Sequence, residues 1–193
     1  MPREWYGVLP SISFGLVEFR FLPLRREDFP LLSEWFAKEH VAPFWGEPSD
    51  LSSIEAQYGP SVDGHDPTEL FIAAVDDEPV GMIQRYRIDD NPEWQRSLAA
   101  AGIPEPAAGI DYLIGEERMT GRGVGPEMIS SFVGDTWRRY PDVKAIAVAL
   151  QQQNRRSWRA LEKAGFVRTW AGTIESDDPS DEGPIYVYVL SRP

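Results

Sequence analysis

Three glycines at alternate positions form a motif that can bind phosphate. They are Gly121, Gly123 and Gly125, in the segment RMTGRGVGPEM at 118–128. Glycine allows sharp turns and a close approach to a ligand, and the first amides of a helix have no intrahelical partner. Helix-forming residues follow the glycines, and Pro126 suits a first helical turn. The spacing therefore predicts a strand, a glycine loop and a helix N-terminus that together hold a phosphate group.

The spacing of this motif excludes two common phosphate loops. The P-loop requires a Lys followed by Ser or Thr, and the sequence has no such pair. The dinucleotide motif is spaced G-x-G-x-x-G, whereas the glycines here are spaced G-x-G-x-G. Arg118 and Arg122 add positive charge beside the glycines. A tight turn that binds nothing is the alternative interpretation of the motif.

The elements around the motif predict an α+β or α/β domain built on a mixed sheet. Alternating or continuous apolar runs predict strands, and apolar residues at helical spacing predict helices. The predicted order is β-α-α-β-β-β-α-β-α-β-β, with strands at 16–24, 69–75, 80–88, 109–115, 143–150, 166–174 and 184–190, and helices capped by Asp28, at 49–58, after Pro126 and at 154–165. The stretch at 89–108 is predicted to be irregular, and its length suggests a functional role.

Length and composition favour a single soluble, cytoplasmic domain. The chain has 193 residues, of which 42% are hydrophobic and 12% aromatic, which suits one core and argues against disorder. It lacks the apolar run of about 18 residues that spans a membrane, and its start does not resemble a secretory signal. It has no cysteine, and His40 and His65 lie too far apart in sequence to suggest a metal centre.

The net charge of −12 restricts the partners that the protein can bind. An acidic surface repels the phosphates of nucleic acids and attracts cationic small molecules. The alternative is that the acidic residues only keep the protein soluble.

A second motif, together with the glycine loop, resembles the GNAT family of N-acetyltransferases. R-M-T-G-R-G, at 118–123, matches the family signature (Q/R)-x-x-G-x-(G/A), and NRRSWRALEKAGF, which starts at Asn154, resembles the family's next helix. The resemblance implies a GNAT fold of about seven strands flanked by about four helices. It places this domain at 16–193, after an N-terminal extension at 1–15. It also implies acetyl-CoA as the co-substrate, without a metal.

Other segments resemble the aminoglycoside 6′-N-acetyltransferases of bacterial drug resistance. They are HVAPFWGE at 40–47, EAQYGPSV at 55–62, DEPVGMIQRY at 77–86 and GIDYLIG at 109–115. This resemblance implies an enzyme that acetylates a cationic small-molecule amine and acts as a monomer or homodimer. Siderophore-lysine acyltransferases share part of the pattern and are the second hypothesis. A degenerate fold that only binds acyl-CoA or a drug is the third.

The family resemblance assigns acetyl-CoA to the glycine loop and to the strand before it. Main-chain amides near Leu113 and Ile114 would polarise the thioester carbonyl, and amides of the loop would bind the pyrophosphate. Asn154 would bind the pantetheine arm or cap its own helix. The predicted cofactor-binding residues are Leu113, Ile114, Arg118, Gly121, Arg122, Gly123, Val124, Gly125 and Asn154.

Asp111 is the predicted catalytic residue. It lies in the middle of the strand that precedes the loop. In the resembled enzymes, the Asp of this motif contacts the reacting amine. A carboxylate in this place can bind an ammonium group and accept its proton, directly or through water. The alternative is an Asp that pairs with a nearby Arg at a strand edge.

Aromatic and acidic side chains outside the loop are predicted to bind the acceptor. Aromatic faces stack on sugar rings and attract ammonium groups, and carboxylates attract a polycation. The predicted residues are Trp45, Glu47, Tyr58, Asp89, Asp90, Trp94 and Asp111. Core packing of the aromatic residues and solvation of the acidic ones are the alternatives.

Two positions depart from the family pattern. Many members have a tyrosine in the last conserved helix that protonates the departing thiolate, and this sequence has Leu161 there. Water or the amine would then supply the proton. The drug-modifying enzymes also have an acidic residue late in the strand before Asn154, where this sequence has Ala149. We therefore expect its acceptor specificity to differ from theirs.

Overall fold

A mixed sheet of seven strands forms the centre of the protein, as the sequence predicts. The computed structural model describes residues 18–176 and 181–193. Its strands are β1 (Phe19–Pro23), β2 (Glu69–Val75), β3 (Glu78–Arg87), β4 (Ala107–Ile114), β5 (Ala145–Gln151), β6 (Val167–Gly172) and β7 (Ile185–Ser191), in the order β1-β2-β3-β4-β5-β7-β6. Only β4 and β5 pair in parallel. The predicted extension at 1–15 lies outside the described residues, so this boundary stays a prediction.

The described chain has the four predicted helices and two short ones besides. They are α1 (Phe29–Phe36), α2 (Ala42–Trp45), α3 (Leu51–Val62), α4 (Pro92–Ser97), α5 (Val124–Arg139) and α6 (Arg155–Lys163). Since α2 has four residues and α4 has six, neither is long enough to show a helical period in the sequence. α4 occupies part of the stretch at 89–108 that the sequence predicts to be irregular, and this prediction is wrong there.

An aspartate precedes each of the helices α1 and α3, but only one of the two caps its helix. The carboxylate of Asp50 accepts a hydrogen bond from the Ser53 amide at 3.0 Å and caps α3. Asp28 precedes α1, but its carboxylate accepts a hydrogen bond from the Arg25 amide at 3.0 Å. The prediction that Asp28 caps α1 is therefore wrong, because the side chain closes the preceding turn instead.

The two faces of the sheet bury separate apolar clusters. α5 and α6 cover one face, where Phe132 is fully buried, and α1 and α3 cover part of the other, around Trp35. Successive side chains of a strand point to opposite faces. Tyr112 of β4 packs on the α5–α6 cluster, and Leu113 packs on the α1–α3 cluster. Asp111 therefore shares the face of Leu113, opposite to α5 and α6.

β4 and β5 pair over only three residues each, which opens a gap in the sheet. The pairs join residues 107–109 of β4 with residues 145–147 of β5. β4 then continues to Ile114 and β5 to Gln151, with no further pair between them. Over the same stretch β4 stays paired with β3. The gap is bordered by β4, and the glycine loop follows β4 in the chain.

Candidate active site

A large acidic cleft lies on the face of the sheet that carries Asp111. Its volume is about 1250 Å³. Six carboxylates and two guanidinium groups are among the described residues that line it: Asp66, Asp90, Glu93, Asp111, Glu175 and Asp181, with Arg87 and Arg96. Arg87 is already paired with Asp89 and Asp142. The cleft therefore presents a net negative charge to a ligand.

Asp111 is fixed in this cleft by a neutral neighbour. Its Oδ2 accepts a hydrogen bond from Gln84 Nε2 at 2.9 Å, across the β3–β4 pair. An amide donor orients a carboxylate and leaves its negative charge in place. Tyr86, Trp94 and Ala149 also line the cleft and pack on one apolar cluster. The lining thus combines a positioned carboxylate with an aromatic surface.

Two further carboxylates of the cleft are held by hydrogen bonds. Although burial opposes its ionisation, hydrogen bonds from Thr68 and Ser61 keep the pKa of Asp66 below its usual value. Asp181 is 8% exposed and accepts a hydrogen bond from the Ser176 hydroxyl at 2.8 Å. Neither carboxylate could be found from the sequence, because they come from distant loops in which no motif marks them.

The glycine loop has the backbone that the sequence predicts. Gly121 and Gly123 adopt φ angles of 72° and 89°, in the left-handed region that favours glycine. Gly123 is the N-cap of α5 and offers no side chain to the first amides of the helix. Among the residues that the structure describes, no backbone carbonyl forms a hydrogen bond of good geometry with the amides of residues 121–125. These amides stand at the positive end of the α5 dipole, which suits an anionic ligand.

Gly125 differs from the other two glycines because it belongs to the first turn of α5 and has no positive φ. A Cβ at this position would lie 3.6 Å from the Cβ of Ala160 in α6. This is an ordinary van der Waals distance. The packing of α5 on α6 therefore does not require a glycine here.

The two arginines near the loop are exposed. Arg118 forms an ion pair with Glu78, and its Nε lies 3.8 Å from Glu116 Oε2. Arg122 lies between the glycines of the loop. The predicted contact of Arg118 with a cofactor would therefore compete with its carboxylate partners, whereas Arg122 stands next to the amides themselves.

The side chains of Leu113 and Val124 are buried, so only their main-chain amides are left for the predicted contacts with the cofactor.

The end of β4 is tied to a histidine. His40 Nε2 lies 2.9 Å from the carbonyl oxygen of Ile114. Since a carbonyl oxygen only accepts hydrogen bonds, Nε2 must carry the proton and donate it. His40 is thus held at the end of β4, outside the described lining of the acidic cleft.

The start of α6 brings polar side chains to the gap. Asn154 Oδ1 accepts a hydrogen bond from the Ser157 amide at 3.2 Å, so Asn154 caps its own helix. The Tyr112 hydroxyl lies 2.8 Å from Ser157 Oγ. Leu161, at the position where the family has a tyrosine, is fully buried. The sequence gives no sign of the contact between Tyr112 and Ser157, because a tyrosine in an apolar strand is indistinguishable from a core residue.

Three of the predicted acceptor residues form a chain of hydrogen bonds elsewhere. Trp45 Nε1 donates to the Tyr58 hydroxyl at 3.0 Å, and Tyr58 donates to Glu47 Oε2 at 2.6 Å. Tyr58 is only 4% exposed. The described lining of the cleft includes neither these residues nor Asp89. Of the predicted acceptor residues, the cleft brings together Asp90, Trp94 and Asp111.

Within residues 18–176 and 181–193, no group of three or more His, Asp or Glu side chains is placed to hold a metal ion. None of the helices in the described chain is long and apolar enough to cross a membrane.

The gapped sheet, the glycine loop and the helix that follows it define the class of protein. Residues 25–173 match the sequence model of a family described as "Acetyltransferase (GNAT) domain". Since this match covers more than half of the chain, the protein belongs to the GNAT family, and the predicted resemblance is confirmed. GNAT enzymes use acetyl-CoA, so the chain is an acetyl-CoA-dependent acetyltransferase.

Within this family, the chain is similar to enzymes that modify aminoglycosides. It is 28% identical over 173 residues to the aminoglycoside N(6′)-acetyltransferase type 1 of Klebsiella pneumoniae, and the match covers 88% of this chain and 81% of that protein. Aminoglycoside acetyltransferase AAC(6′)-Ib in complex with coenzyme A has a TM-score of 0.76 and 27% identity, over 91% of this chain and 95% of that one. A complex of AAC(6′)-Ib with coenzyme A and kanamycin has the same TM-score and coverage, with 26% identity.

Proposed function

We propose that this protein is an aminoglycoside 6′-N-acetyltransferase, which transfers the acetyl group directly to the 6′-amine in a ternary complex. The observation that supports this most is the acidic cleft, with Asp111 on the strand that borders the gap. Aminoglycosides carry several ammonium groups, which the six carboxylates of the cleft would attract. The similarity to the AAC(6′) enzymes supports the same class of acceptor.

The residues around the gap fit acetyl-CoA, which supplies an activated acyl carbon and a thiolate leaving group. The amides of residues 121–125 would bind the pyrophosphate, and the missing side chain of Gly125 would let it approach the helix. Amides of Leu113 and Ile114 would donate to the thioester carbonyl. Because the oxygen of the Asn154 side chain caps α6, its amide nitrogen is the group that would bind the pantetheine arm.

Asp111 would bind the acceptor amine and take its proton. An ammonium group has no free electron pair with which to attack a carbonyl, so it must lose a proton first. A carboxylate oriented by Gln84 can accept this proton, directly or through water. Trp94 and Tyr86 would stack on the sugar rings and orient the amine. Contacts with Trp45, Glu47, Tyr58 and Asp89 would need an acceptor that extends beyond the cleft.

Release of CoA from acetyl-CoA, measured with a panel of amines, tests this proposal. We expect turnover with aminoglycosides that have a 6′-amine and none with their 6′-hydroxy counterparts, which are matched except at the reacting group. A lysine-derived siderophore precursor and a peptide amine test other acceptors. Tight CoA binding without turnover of any amine would contradict the proposal and indicate a binding module.

The proposal includes a cytoplasmic location, a monomer or homodimer as the acting form, and a role in antibiotic resistance. A susceptible bacterium that expresses the chain should tolerate more kanamycin than one that expresses Asp111→Asn. Equal tolerance of the two strains would contradict a role in resistance, even if the purified enzyme acetylates the drug.

A further inference from the structure

A pair of hydroxyl groups spans the gap between β4 and α6. Tyr112 lies on β4 beyond the last β4–β5 pair, and Ser157 lies in the first turn of α6, which follows β5. The Tyr112 oxygen is 2.8 Å from Ser157 Oγ and 3.3 Å from the Ser157 carbonyl oxygen. These contacts join β4, on one side of the gap, to α6, which follows β5 on the other side. A thioester held at the glycine loop and aimed at Asp111 would pass beside them.

This hydroxyl pair carries protons beside the gap, whereas the family position for a proton donor carries none. Leu161 lies four residues after Ser157 and therefore on the same face of α6. Its side chain is fully buried and has no proton to donate. Tyr112 and Ser157 are each partly exposed. The Tyr112 hydroxyl thus stands beside the gap, one helical turn from the position of the missing tyrosine.

Tyr112 is a hydrogen-bond donor at any pH at which the enzyme would work. Burial raises the pKa of Tyr112, and this outweighs the opposite effect of the Ser157 hydrogen bond, while the charge of Asp111 adds to the rise. The phenol is therefore protonated at neutral pH. Ser157 can both donate and accept, so it can replace a proton that Tyr112 gives away.

We propose that Tyr112, positioned by Ser157, donates a hydrogen bond and then a proton to the departing CoA thiolate. This inference rests on the proposed function. As the amine nitrogen bonds to the acetyl carbon, the carbon–sulfur bond breaks and its electron pair leaves on sulfur. Sulfur takes the Tyr112 proton as Ser157 passes a proton from water to Tyr112. An ammonium acceptor loses two protons through Asp111 and water, one before attack and one as the amide bond forms. Water returns one proton to sulfur through Ser157 and Tyr112, and the other is released, so the protons balance.

The pKa of the CoA thiol in the binary complex tests this role without turnover, through the ultraviolet absorbance of the thiolate. Tyr112→Phe removes the donor, and Ser157→Ala removes the group that positions it. Tyr186→Phe is the matched control, since Tyr186 packs on the same face of the sheet, over the Arg168 guanidinium.

We expect the wild-type complex to lower the pKa of the thiol, because a donated hydrogen bond favours the thiolate. In Tyr112→Phe this pKa should be higher than in the wild type by at least about 1, since a hydrogen bond to an ionised group changes an equilibrium about tenfold or more. The rate constant kcat for acetyl transfer should fall about tenfold or more for the same reason, with the KM of the acceptor and the Kd of acetyl-CoA unchanged. Ser157→Ala should act in the same direction, and Tyr186→Phe should match the wild type.

An unchanged thiol pKa and kcat in Tyr112→Phe and Ser157→Ala, with wild-type binding and turnover intact, would overturn the role of Tyr112 and leave the proposed function standing. A wild-type protein that does not bind CoA would overturn the proposed function and this inference with it. If Tyr112→Phe fails to fold, as judged by circular dichroism, Ser157→Ala decides the question because it keeps the aromatic ring.

Discussion

A side chain at Gly125 should weaken CoA binding without harming the fold. The added methyl group of Gly125→Ala would meet Ala160 at an ordinary 3.6 Å. Alanine is favoured over glycine in helices by up to about 1 kcal/mol, and by less in a first turn. We therefore expect Gly125→Ala to have the stability of the wild type or slightly more. For a chain of this length, the increase in Tm is at most about 4 °C.

The cost of Gly125→Ala should fall on the binding of the diphosphate. A methyl group beside the first-turn amides would keep the diphosphate from hydrogen-bonding at least one of them. A hydrogen bond to a charged group contributes about 1.5–3 kcal/mol, so the Kd of CoA should rise roughly 10- to 100-fold. Gly134→Ala is the matched control in the same helix, because its Cβ would lie 3.8 Å from Arg138 Nη1, far along α5 from the loop.

Isothermal titration with CoA and thermal unfolding of the three proteins measure both effects. Gly134→Ala should be as stable as the wild type or more so, and its Kd should not change. If Gly125→Ala also binds CoA like the wild type, the amides at the start of α5 do not hold the diphosphate. If Gly125→Ala loses stability, the helices pack too tightly there for a methyl group.

Three other substitutions test the acceptor site and the fold. Asp111→Asn should lower kcat/KM for CoA release by at least about tenfold, because an amide cannot accept the ammonium proton; an unchanged value excludes that role. Glu116→Gln should cost at most about 1 kcal/mol in urea unfolding near neutral pH. The Trp35 indole donates a hydrogen bond to Glu116 at 3.0 Å, and this bond, followed by Lys38, holds the folded-state pKa of Glu116 below its usual value. As the pH falls through that pKa, the wild type loses this stabilisation, so the stabilities of the wild type and Glu116→Gln should converge. Arg85→Ala should lower the free energy of unfolding by about 3 kcal/mol, because it removes a buried guanidinium that pairs with two carboxylates; a loss below about 1 kcal/mol would contradict this account.

Local chemistry made the glycine loop and part of the helix capping predictable from the sequence, although the cap predicted at Asp28 is wrong. A left-handed φ at Gly121 and Gly123 and a cap at Asp50 or Asn154 depend on neighbours within a few residues. The long strands and helices were predictable for the same reason, since each repeats its apolar residues along the chain. α2 and α4 were missed because they end before one period can repeat.

The whole cleft could not be predicted, because its carboxylates converge from β4, α4 and separate loops. Asp66 and Asp181 each stand in a polar segment that looks like any solvated loop. The contact predicted between Tyr58 and an acceptor stays a prediction, since Tyr58 follows the buried Ile54 by four residues on α3. Apolar periodicity finds the inner face of a helix, but it does not tell whether that face meets the core or a cavity.

The short pairing of β4 with β5 has a consequence for how long the protein survives in a cell. Beyond Gly109, one edge of β4 has no neighbouring strand, and interior backbone groups need partners. The pantetheine arm has amide groups of its own and can complete the sheet there. A ligand that binds only the folded state adds about 2.7 kcal/mol of stability at a hundred times its Kd. We therefore expect the resistance of the protein to proteolysis to rise and fall with the concentration of acetyl-CoA. The acyl donor would then stabilise the sheet as well as take part in the reaction.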